Sequence, residues 1–322
     1  MSKLRVGLIG AGDMAGKHLE VLRQFPDVDV VALASRGEDK LGKLASHFGI
    51  DKRFLDYLEM LRTISLDAIF VLVSASNIYE VSSECISRGI NSLIEKPPGL
   101  ISAQTEQLLN LSSGKGGKHM IGLNRRFYGT MKNAKELLQA EGPLVSILVE
   151  GPEDLESARA LGIHPPEVIG NWLAANGIHC IDLLRFFGGE PTEVHSSASA
   201  WREKQPDSYG ALIRFDRGAI GHYVSNWTSP GRWRVVLYAP DLRIDICPLE
   251  QGKIFRRGAK ESAIQVNRAD TDFKPGLFAQ DRFFLDCVKY DRPIQRPGAD
   301  LHDALLTMRL IDKIRKSTSV QV

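Results

Sequence analysis

Residues 7–18 read GLIGAGDMAGKH and carry two glycines and an alanine in the spacing G-x-G-x-x-A. This stretch follows an apolar run at 4–9 and opens a segment whose apolar residues recur at helical spacing. In a strand, turn and helix of this kind, the first glycine permits a tight turn, the second lets the backbone approach a pyrophosphate, and the helix N-terminus offers unpaired N–H groups. The motif therefore predicts a dinucleotide site, with a glycine-rich turn that binds nothing as the alternative. The residues expected to contact the dinucleotide are Gly10, Gly12, Asp13, Met14 and Ala15.

Short apolar runs alternate with helix-like segments through the first third of the chain. They lie at 4–9, 28–34, 68–73, 91–95 and 119–123. Buried parallel strands have this appearance, because helices cover both faces of the sheet. Residues 1–122 are therefore predicted to form an α/β domain, with the doubly wound parallel sheet of a Rossmann-like fold.

The pattern changes in the second half of the chain. Longer strand candidates at 209–215, 219–227 and 233–239 follow one another with no room for helices between them. Two helices are predicted to close the chain, one beginning near Pro275 and one carrying apolar residues at helical spacing over 301–308. Residues 123–322 are therefore predicted to form an α+β domain with an open mixed or antiparallel sheet.

The composition disfavours several classes of partner. The 322 residues are 43% hydrophobic and 25% charged, with a net charge of +2, which indicates an ordinary two-domain globular protein without attraction to nucleic acid or anionic lipid. The four cysteines form no C-x-x-C and the histidines no metal-binding cluster. No apolar run has the length of a membrane span or the form of a signal peptide. We expect a cytoplasmic protein with a small-molecule substrate, without a metal and without a nucleic-acid or membrane partner.

The residues after the second predicted strand bear on the choice between NAD and NADP. A carboxylate at this position would bind the adenine ribose hydroxyls of NAD. This chain has Ser35 and Arg36 instead, a hydroxyl and a guanidinium that can both bind a 2′-phosphate. NADP is therefore favoured as the cofactor, while Asp39 nearby leaves NAD open.

The motif EKPPG at 95–99 places a lysine at the end of a predicted strand. Open α/β sheets bind ligands at this carboxyl edge, and the two prolines forbid a helix directly after the strand. Hydride transfer from an alcohol releases a proton, and burial beside a positively charged nicotinamide would lower the pKa of a lysine enough to accept it. Lys96 is therefore a candidate acid/base, with an ordinary surface charge as the alternative.

Four motifs together carry a resemblance that spans nearly the whole chain. The N-terminal glycine motif, EKPPG, GLNRRF at 122–127 and GIHCIDLLRFFGGEP at 177–191 resemble those of the Gfo/Idh/MocA oxidoreductase family, in family order and spacing. The resemblance implies NAD(P)-dependent oxidation or reduction of a sugar or related polyol, often a sugar nucleotide. It also implies that the open sheet of the second domain builds a homodimer or homotetramer.

The resemblance assigns roles to individual residues. Lys96 matches the catalytic lysine of the family and Glu95 the acidic residue before it, at the cofactor. His179 matches the substrate-facing histidine, counted here as catalytic, and Asp182 the acid one helical turn later, which could also orient the histidine ring. The further residues expected to bind are Arg125 and Asn176 for the substrate, and Ser74, Ala75 and Asn77, from the SASN segment at 74–77, for the dinucleotide.

The chain departs from the family pattern in two places. Many members have an aspartate four residues before the histidine, where this chain has Ala175, and a histidine where it has Tyr79. Asn176, next to the missing acid, can hydrogen-bond a substrate hydroxyl but cannot exchange a proton. The four tryptophans are interpreted as core or interface residues rather than sugar-binding ones.

Two other functions remain open at this point. A lyase or hydrolase could keep NAD(P) tightly bound and use transient oxidation to assist bond cleavage. A regulatory sensor could use the dinucleotide fold without catalysis, which the alanine at position 175 makes conceivable. Retention of Lys96 and His179 favours an enzyme, because a sensor needs neither.

Overall fold

The computed structural model describes residues 3–316. They divide into two compact units, one running to Asn124 and including Thr271–Leu305, the other comprising Arg125–Asp270 and the chain from Leu306. The division differs from the single boundary predicted between residues 122 and 123, because residues 271–305 return to the first unit. Apolar side chains of that segment, such as Phe284, belong to the same buried core as the first strands.

The described elements are numbered in chain order. The strands are β1 (Leu4–Ile9), β2 (Val28–Ala34), β3 (Arg53–Phe54), β4 (Ala68–Val71), β5 (Ser92–Ile94), β6 (His119–Ile121), β7 (Ser146–Glu150), β8 (Pro191–Ser199), β9 (Ser208–Phe215), β10 (Ile220–Asn226), β11 (Arg234–Ala239), β12 (Leu242–Ile246), β13 (Gly252–Arg256), β14 (Ser262–Ala263) and β15 (Ala299–Asp300). The α-helices are α1 (Asp13–Leu22), α2 (Glu38–Phe48), α3 (Tyr57–Thr63), α4 (Ile78–Ser87), α5 (Ser102–Ser112), α6 (Gly129–Glu141), α7 (Leu155–Ala160), α8 (Pro166–Gly170), α9 (Trp172–Ala175), α10 (Ile178–Gly188), α11 (Ala269–Asp272), α12 (Leu277–Lys289) and α13 (Leu301–Arg315), with a 3-10 helix at Asn124–Phe127.

The sheet of the first unit has the strand order β15-β6-β5-β4-β1-β2-β3. Strands β1 to β6 pair in parallel, and β15 adds an antiparallel edge to β6. This confirms the predicted Rossmann-like fold. The direction in which the chain adds strands reverses between β1 and β4, and open α/β sheets bind ligands in the crevice beyond the carboxyl ends at such a point.

A buried histidine–aspartate hydrogen bond helps to hold the returning segment on the first unit. His18 of α1 and Asp281 of α12 are both fully buried, with 2.7 Å between Nδ1 and Oδ2. The imidazole also packs edge-on against Phe70 of β4, which in turn contacts Phe284 of α12. Buried polar groups need hydrogen-bond partners, and this bond joins two residues 263 positions apart in sequence within one core.

The second unit contains a mixed sheet in the order β14-β13-β12-β11-β7-β10-β9-β8. Strands β7 and β10 are parallel, and the other neighbours are antiparallel, which confirms the predicted sheet type. Helix α10 packs on β7 and β10, and residues along β10 alternate between buried and exposed. One face of this strand is therefore covered and the other open. Within residues 3–316, no helix has the length and apolar character needed to span a bilayer.

Candidate active site

The glycine motif forms the turn from β1 into α1. Gly10 has a φ of +117°, and a Cβ placed on it would lie 2.4 Å from the carbonyl oxygen of Leu72. Gly12 precedes the first residue of α1, and nothing lies within 4 Å of the position its Cβ would take. The turn thus needs glycine at position 10 for its own geometry, whereas the backbone at Gly12 faces open space at a helix N-terminus. A pyrophosphate fits this cradle of N–H groups, so the residues present are suited to a dinucleotide.

The loop after β4 lies against the glycine turn, as the contact between Gly10 and Leu72 shows. In this loop the Asn77 side chain donates a hydrogen bond of 2.6 Å to Ser74 Oγ, and its backbone N–H bonds the Ser74 carbonyl at 2.9 Å. These bonds fix the SASN segment, with Ser74 exposed and Ala75 and Asn77 half-buried. Tyr79 is engaged on α5, where its hydroxyl donates to a glutamine side chain.

The end of β2 presents the two residues on which the cofactor prediction rests. Ser35 is half-buried and its backbone N–H bonds the carbonyl of Phe54 at 2.9 Å. Arg36 is exposed, and no other described residue engages its guanidinium. Two acidic residues begin α2 just beyond, Glu38 and Asp39. A guanidinium is a side chain suited to binding anionic groups such as phosphate.

Glu95 and Lys96 follow β5 at the carboxyl edge of the same sheet, both half-buried. The backbone N–H of Glu95 bonds Val71 at 2.9 Å, and the peptide bond between Lys96 and Pro97 is cis. Gly122, after the neighbouring β6, leaves room for the glutamate, because a Cβ there would lie 3.2 Å from Glu95 Oε2. The sheet therefore places an acid and a lysine two strands from the glycine turn.

In the second unit, two predicted substrate residues meet on one tryptophan. The Arg125 guanidinium carbon lies 5.6 Å from the ring centroid of Trp233, and the buried imidazole of His179 lies 6.0 Å from it. Arg125 also stacks on Tyr128 at 5.0 Å. The Trp233 indole N–H donates to the carbonyl of Pro152 at 3.1 Å. The indole ring therefore lies against both side chains and is itself bonded to the segment that follows β7.

That segment also contacts the third predicted substrate residue. Asn176 Nδ2 donates to Glu153 Oε2 at 2.7 Å, and the indole N–H of Trp172 donates to the same oxygen at 3.0 Å. Glu153 is only 8% exposed. Residues 152 and 153 thus connect Arg125, His179 and Asn176 within one unit.

The observed contacts of Asp182 differ from the predicted bond to His179. It is 1% exposed, and its two oxygens accept hydrogen bonds of 2.7 and 2.6 Å from the Arg126 guanidinium. Thr307 of α13 donates to it as well, at 2.9 Å. These three hydrogen bonds tie α10 to the 3-10 helix and to α13, and no described contact joins the carboxylate to His179.

Sequence reasoning missed three residues of this site. Trp233 is among the tryptophans interpreted as core or interface residues, Glu153 lies after a strand that was not predicted, and Arg126 stands in the motif GLNRRF without an assigned role. Glu153 had one usable signal, since it stands in the run EGPEDLE directly behind the apolar residues of β7. Nothing in the sequence distinguishes Trp233 from the other tryptophans.

Comparisons with known proteins give the same family along most of the chain. The model described as the oxidoreductase family with an NAD-binding Rossmann fold matches residues 4–123. The model of the GFO/IDH/MocA C-terminal domain matches residues 150–247. The first match lies within the first unit and the second match within the second unit.

Related proteins align over nearly their whole length. Myo-inositol 2-dehydrogenase of Thermotoga maritima is 23% identical, over 94% of this chain and 93% of that protein. D-xylose 1-dehydrogenase (NADP(+)) 2 of Haloferax volcanii is 22% identical, over 97% and 96%. The WlbA dehydrogenase of Bordetella pertussis, solved with NADH and UDP-GlcNAcA, has a TM-score of 0.79 with 17% identity, over 98% of this chain and 95% of that one. From the two family matches, the glycine cradle and the lysine at the sheet edge, we conclude that the chain belongs to the Gfo/Idh/MocA family of oxidoreductases.

Proposed function

We propose that the protein is a dehydrogenase or reductase that uses NADP in preference to NAD and acts on a hydroxyl or ketone of a sugar, a polyol or a sugar nucleotide. The proposal rests on one observation in the first unit: the open backbone cradle at Gly12 and the side chain of Lys96 both follow strands at the carboxyl edge of one sheet. Relatives that are named dehydrogenases of inositol and of xylose support the substrate class.

In this proposal the cofactor, when bound, supplies the hydride acceptor or donor. Lys96 in its neutral form accepts the hydroxyl proton at Nζ while a hydride leaves the carbon, so that the alcohol becomes a carbonyl. In the reverse direction the ammonium returns the proton to the carbonyl oxygen. The cradle at Gly12 fixes the pyrophosphate, and the loop with Ser74, Ala75 and Asn77 borders the same edge, so positioning contributes much of the rate.

The preference for NADP rests on the residues after β2. A half-buried hydroxyl at Ser35 and an exposed guanidinium at Arg36 provide a donor and a positive charge for a 2′-phosphate. The same arrangement offers no carboxylate directly after the strand to accept from the ribose hydroxyls of NAD.

In the second unit we propose that Arg125, His179 and Asn176 contact the substrate. They are the polar side chains gathered by Trp233 and Glu153. A sugar offers hydroxyl groups that both donate and accept, and an indole edge between two polar groups suits its mixed surface. Asp182 is not part of this proposal.

A homodimer or homotetramer remains the expected assembly. The open face of the second sheet carries large apolar side chains, each more than a third exposed, on β9, β10 and β11, of which β10 and β11 flank β7: Leu212, Ile220, Val224 and Tyr238. Apolar surface of this kind usually marks a contact between proteins. Light scattering after gel filtration measures the mass, and a monomer at micromolar concentration would contradict the expectation.

The test is a nicotinamide absorbance assay with myo-inositol, D-xylose and UDP-N-acetylglucosamine, each with NADP+ and with NAD+. Steady formation of reduced cofactor with at least one of them supports the proposal. Lys96→Ala should abolish turnover and leave cofactor binding nearly intact, whereas the exposed Lys115→Ala should keep both. Turnover that survives in Lys96→Ala would overturn the assignment. Product formation without net change in absorbance would favour the lyase or hydrolase, and binding without any turnover a sensor.

A further inference from the structure

The second unit contains a buried carboxylate beside the position where the family acid is absent. Glu153 comes three residues after β7, and Ala175 immediately precedes the asparagine that Glu153 contacts. The approach depends on Gly151, because a Cβ at this glycine would lie 3.1 Å from Cys180 Sγ on α10. The end of β7 can therefore lie directly on the first turn of α10, next to Asn176.

The contacts of Glu153 set the orientation of the asparagine amide. A carboxylate only accepts hydrogen bonds, so the group that faces it at 2.7 Å must be the NH2 of Asn176. The indole N–H of Trp172 bonds the same oxygen and holds the carboxylate in place. The carbonyl oxygen of the amide then points away from Glu153, and no other described residue donates to it.

Two ionisable groups near Glu153 stay neutral. Burial raises the pKa of the Cys180 thiol, and the charge of Glu153 raises it further. Burial likewise raises the pKa of the Tyr223 hydroxyl, with a smaller contribution from Glu153. The thiol and the phenol therefore stay protonated and do not compete with the carboxylate as acceptors.

We propose that Glu153 is a positioning residue, which fixes the Asn176 amide so that its Oδ1 accepts a hydrogen bond from a substrate hydroxyl. This deepens the proposed function and rests on it. The chain thereby offers the substrate a neutral acceptor, oriented by a buried acid, where other members of the family carry the acid itself. Such an acceptor selects a ligand with an O–H donor at this point, and it repels an ether or carboxylate oxygen.

The orientation is tested without any substrate. In protein labelled with 15N-asparagine, Asn176→Ala identifies the Asn176 side-chain NH2 resonance. Glu153→Gln should move that resonance upfield in the proton dimension, because a bond to a neutral amide is weaker than one to a carboxylate. Glu156→Gln removes an exposed acid from the same segment and should leave the resonance in place. An unchanged resonance in Glu153→Gln overturns the inference.

The consequence for the substrate is tested by steady-state kinetics with D-xylose or myo-inositol, whichever the wild type oxidises faster. Glu153→Gln should raise KM about tenfold and change kcat less than about threefold, since the loss concerns a binding hydrogen bond. Glu156→Gln should match the wild type. With the monodeoxy analogue that lacks the contacted hydroxyl as substrate, Glu153→Gln and the wild type should have the same KM. Equal KM values for Glu153→Gln and the wild type overturn the inference. If the wild type turns over none of the substrates, the result counts against the proposed function, and the NMR measurement alone then tests the role of Glu153.

Discussion

The two glycines of the first turn should respond to alanine in opposite ways. Alanine at position 10 would have to adopt a φ of +117°, which costs about 1–3 kcal/mol for a residue with a side chain. Its Cβ would also lie 2.4 Å from a backbone oxygen, and the shift needed to relieve this overlap costs about another 1–3 kcal/mol. A loss of this size is a large part of the 5–15 kcal/mol by which a domain is usually stable.

Alanine at position 12 meets no such obstacle, because Gly12 has an ordinary φ of −86° and open space around its Cβ position. Gly12→Ala should therefore unfold at about the same temperature as the wild type. The same methyl group occupies the space proposed for the pyrophosphate, so NADP(H) affinity should fall at least about tenfold.

Thermal unfolding followed by circular dichroism, together with titration of NADPH fluorescence, separates the two effects. Gly10→Ala should lower Tm by roughly 10 °C, and Gly12→Ala should leave Tm within about 2 °C while weakening NADPH. The reasoning is refuted if Gly12→Ala binds NADPH as the wild type does, or if Gly10→Ala unfolds at the wild-type temperature.

Three further predictions concern the ion pairs, a buried histidine and the cofactor. Asp182→Ala removes the carboxylate that accepts two hydrogen bonds from the buried Arg126 guanidinium and should cost about 3–5 kcal/mol in urea unfolding. Glu141→Ala, which breaks a similar but half-exposed pair, should cost at most about 1 kcal/mol, and equal costs would contradict the importance of burial. Burial lowers the pKa of His119 to about 4, so the unfolded chain takes up the proton first and stability falls as the pH drops from about 6.5 toward 4. Between pH 7 and pH 5, His119→Gln should reduce this loss of stability by about 2 kcal/mol, whereas the exposed His222→Gln should leave the loss unchanged. A pH dependence of stability in His119→Gln equal to that of the wild type would count against the desolvation of His119. Arg36→Ala should weaken NADP+ about tenfold relative to NAD+, as measured by calorimetry, and equal weakening of both would remove the guanidinium from the 2′-phosphate site.

The first unit could be predicted in detail because its signals are local. A buried parallel strand needs an unbroken apolar run, and the turn at Gly10 needs a residue that tolerates a positive φ. Both requirements are visible within ten residues of sequence. The predicted strands at 4–9 and 28–34 coincide with β1 and β2, and the closing helices were placed within a few residues of α12 and α13.

The second unit was harder, because its site is assembled from distant segments. His179 and Asp182 are one turn apart on α10, which suggested a shared role, yet helix spacing does not say what packs against each residue. The carboxylate of Asp182 accepts a hydrogen bond from Arg126, which is 56 residues away in sequence. Trp233 lies against the imidazole of His179. A pairing of this kind depends on which strand lies next to the helix.

The sequence by itself determined the nucleotide-binding turn, the lysine at a strand end and the family, because each depends on backbone geometry or on motifs read along the chain. Only the tertiary structure decided that residues 271–305 return to the first unit, that the buried Asp182 is bonded to Arg126, and that a glutamate lies beside Asn176, next to the position where the family acid is missing. The reason is physical: a buried charge must find a partner, and that partner is chosen by packing in three dimensions rather than by distance along the chain.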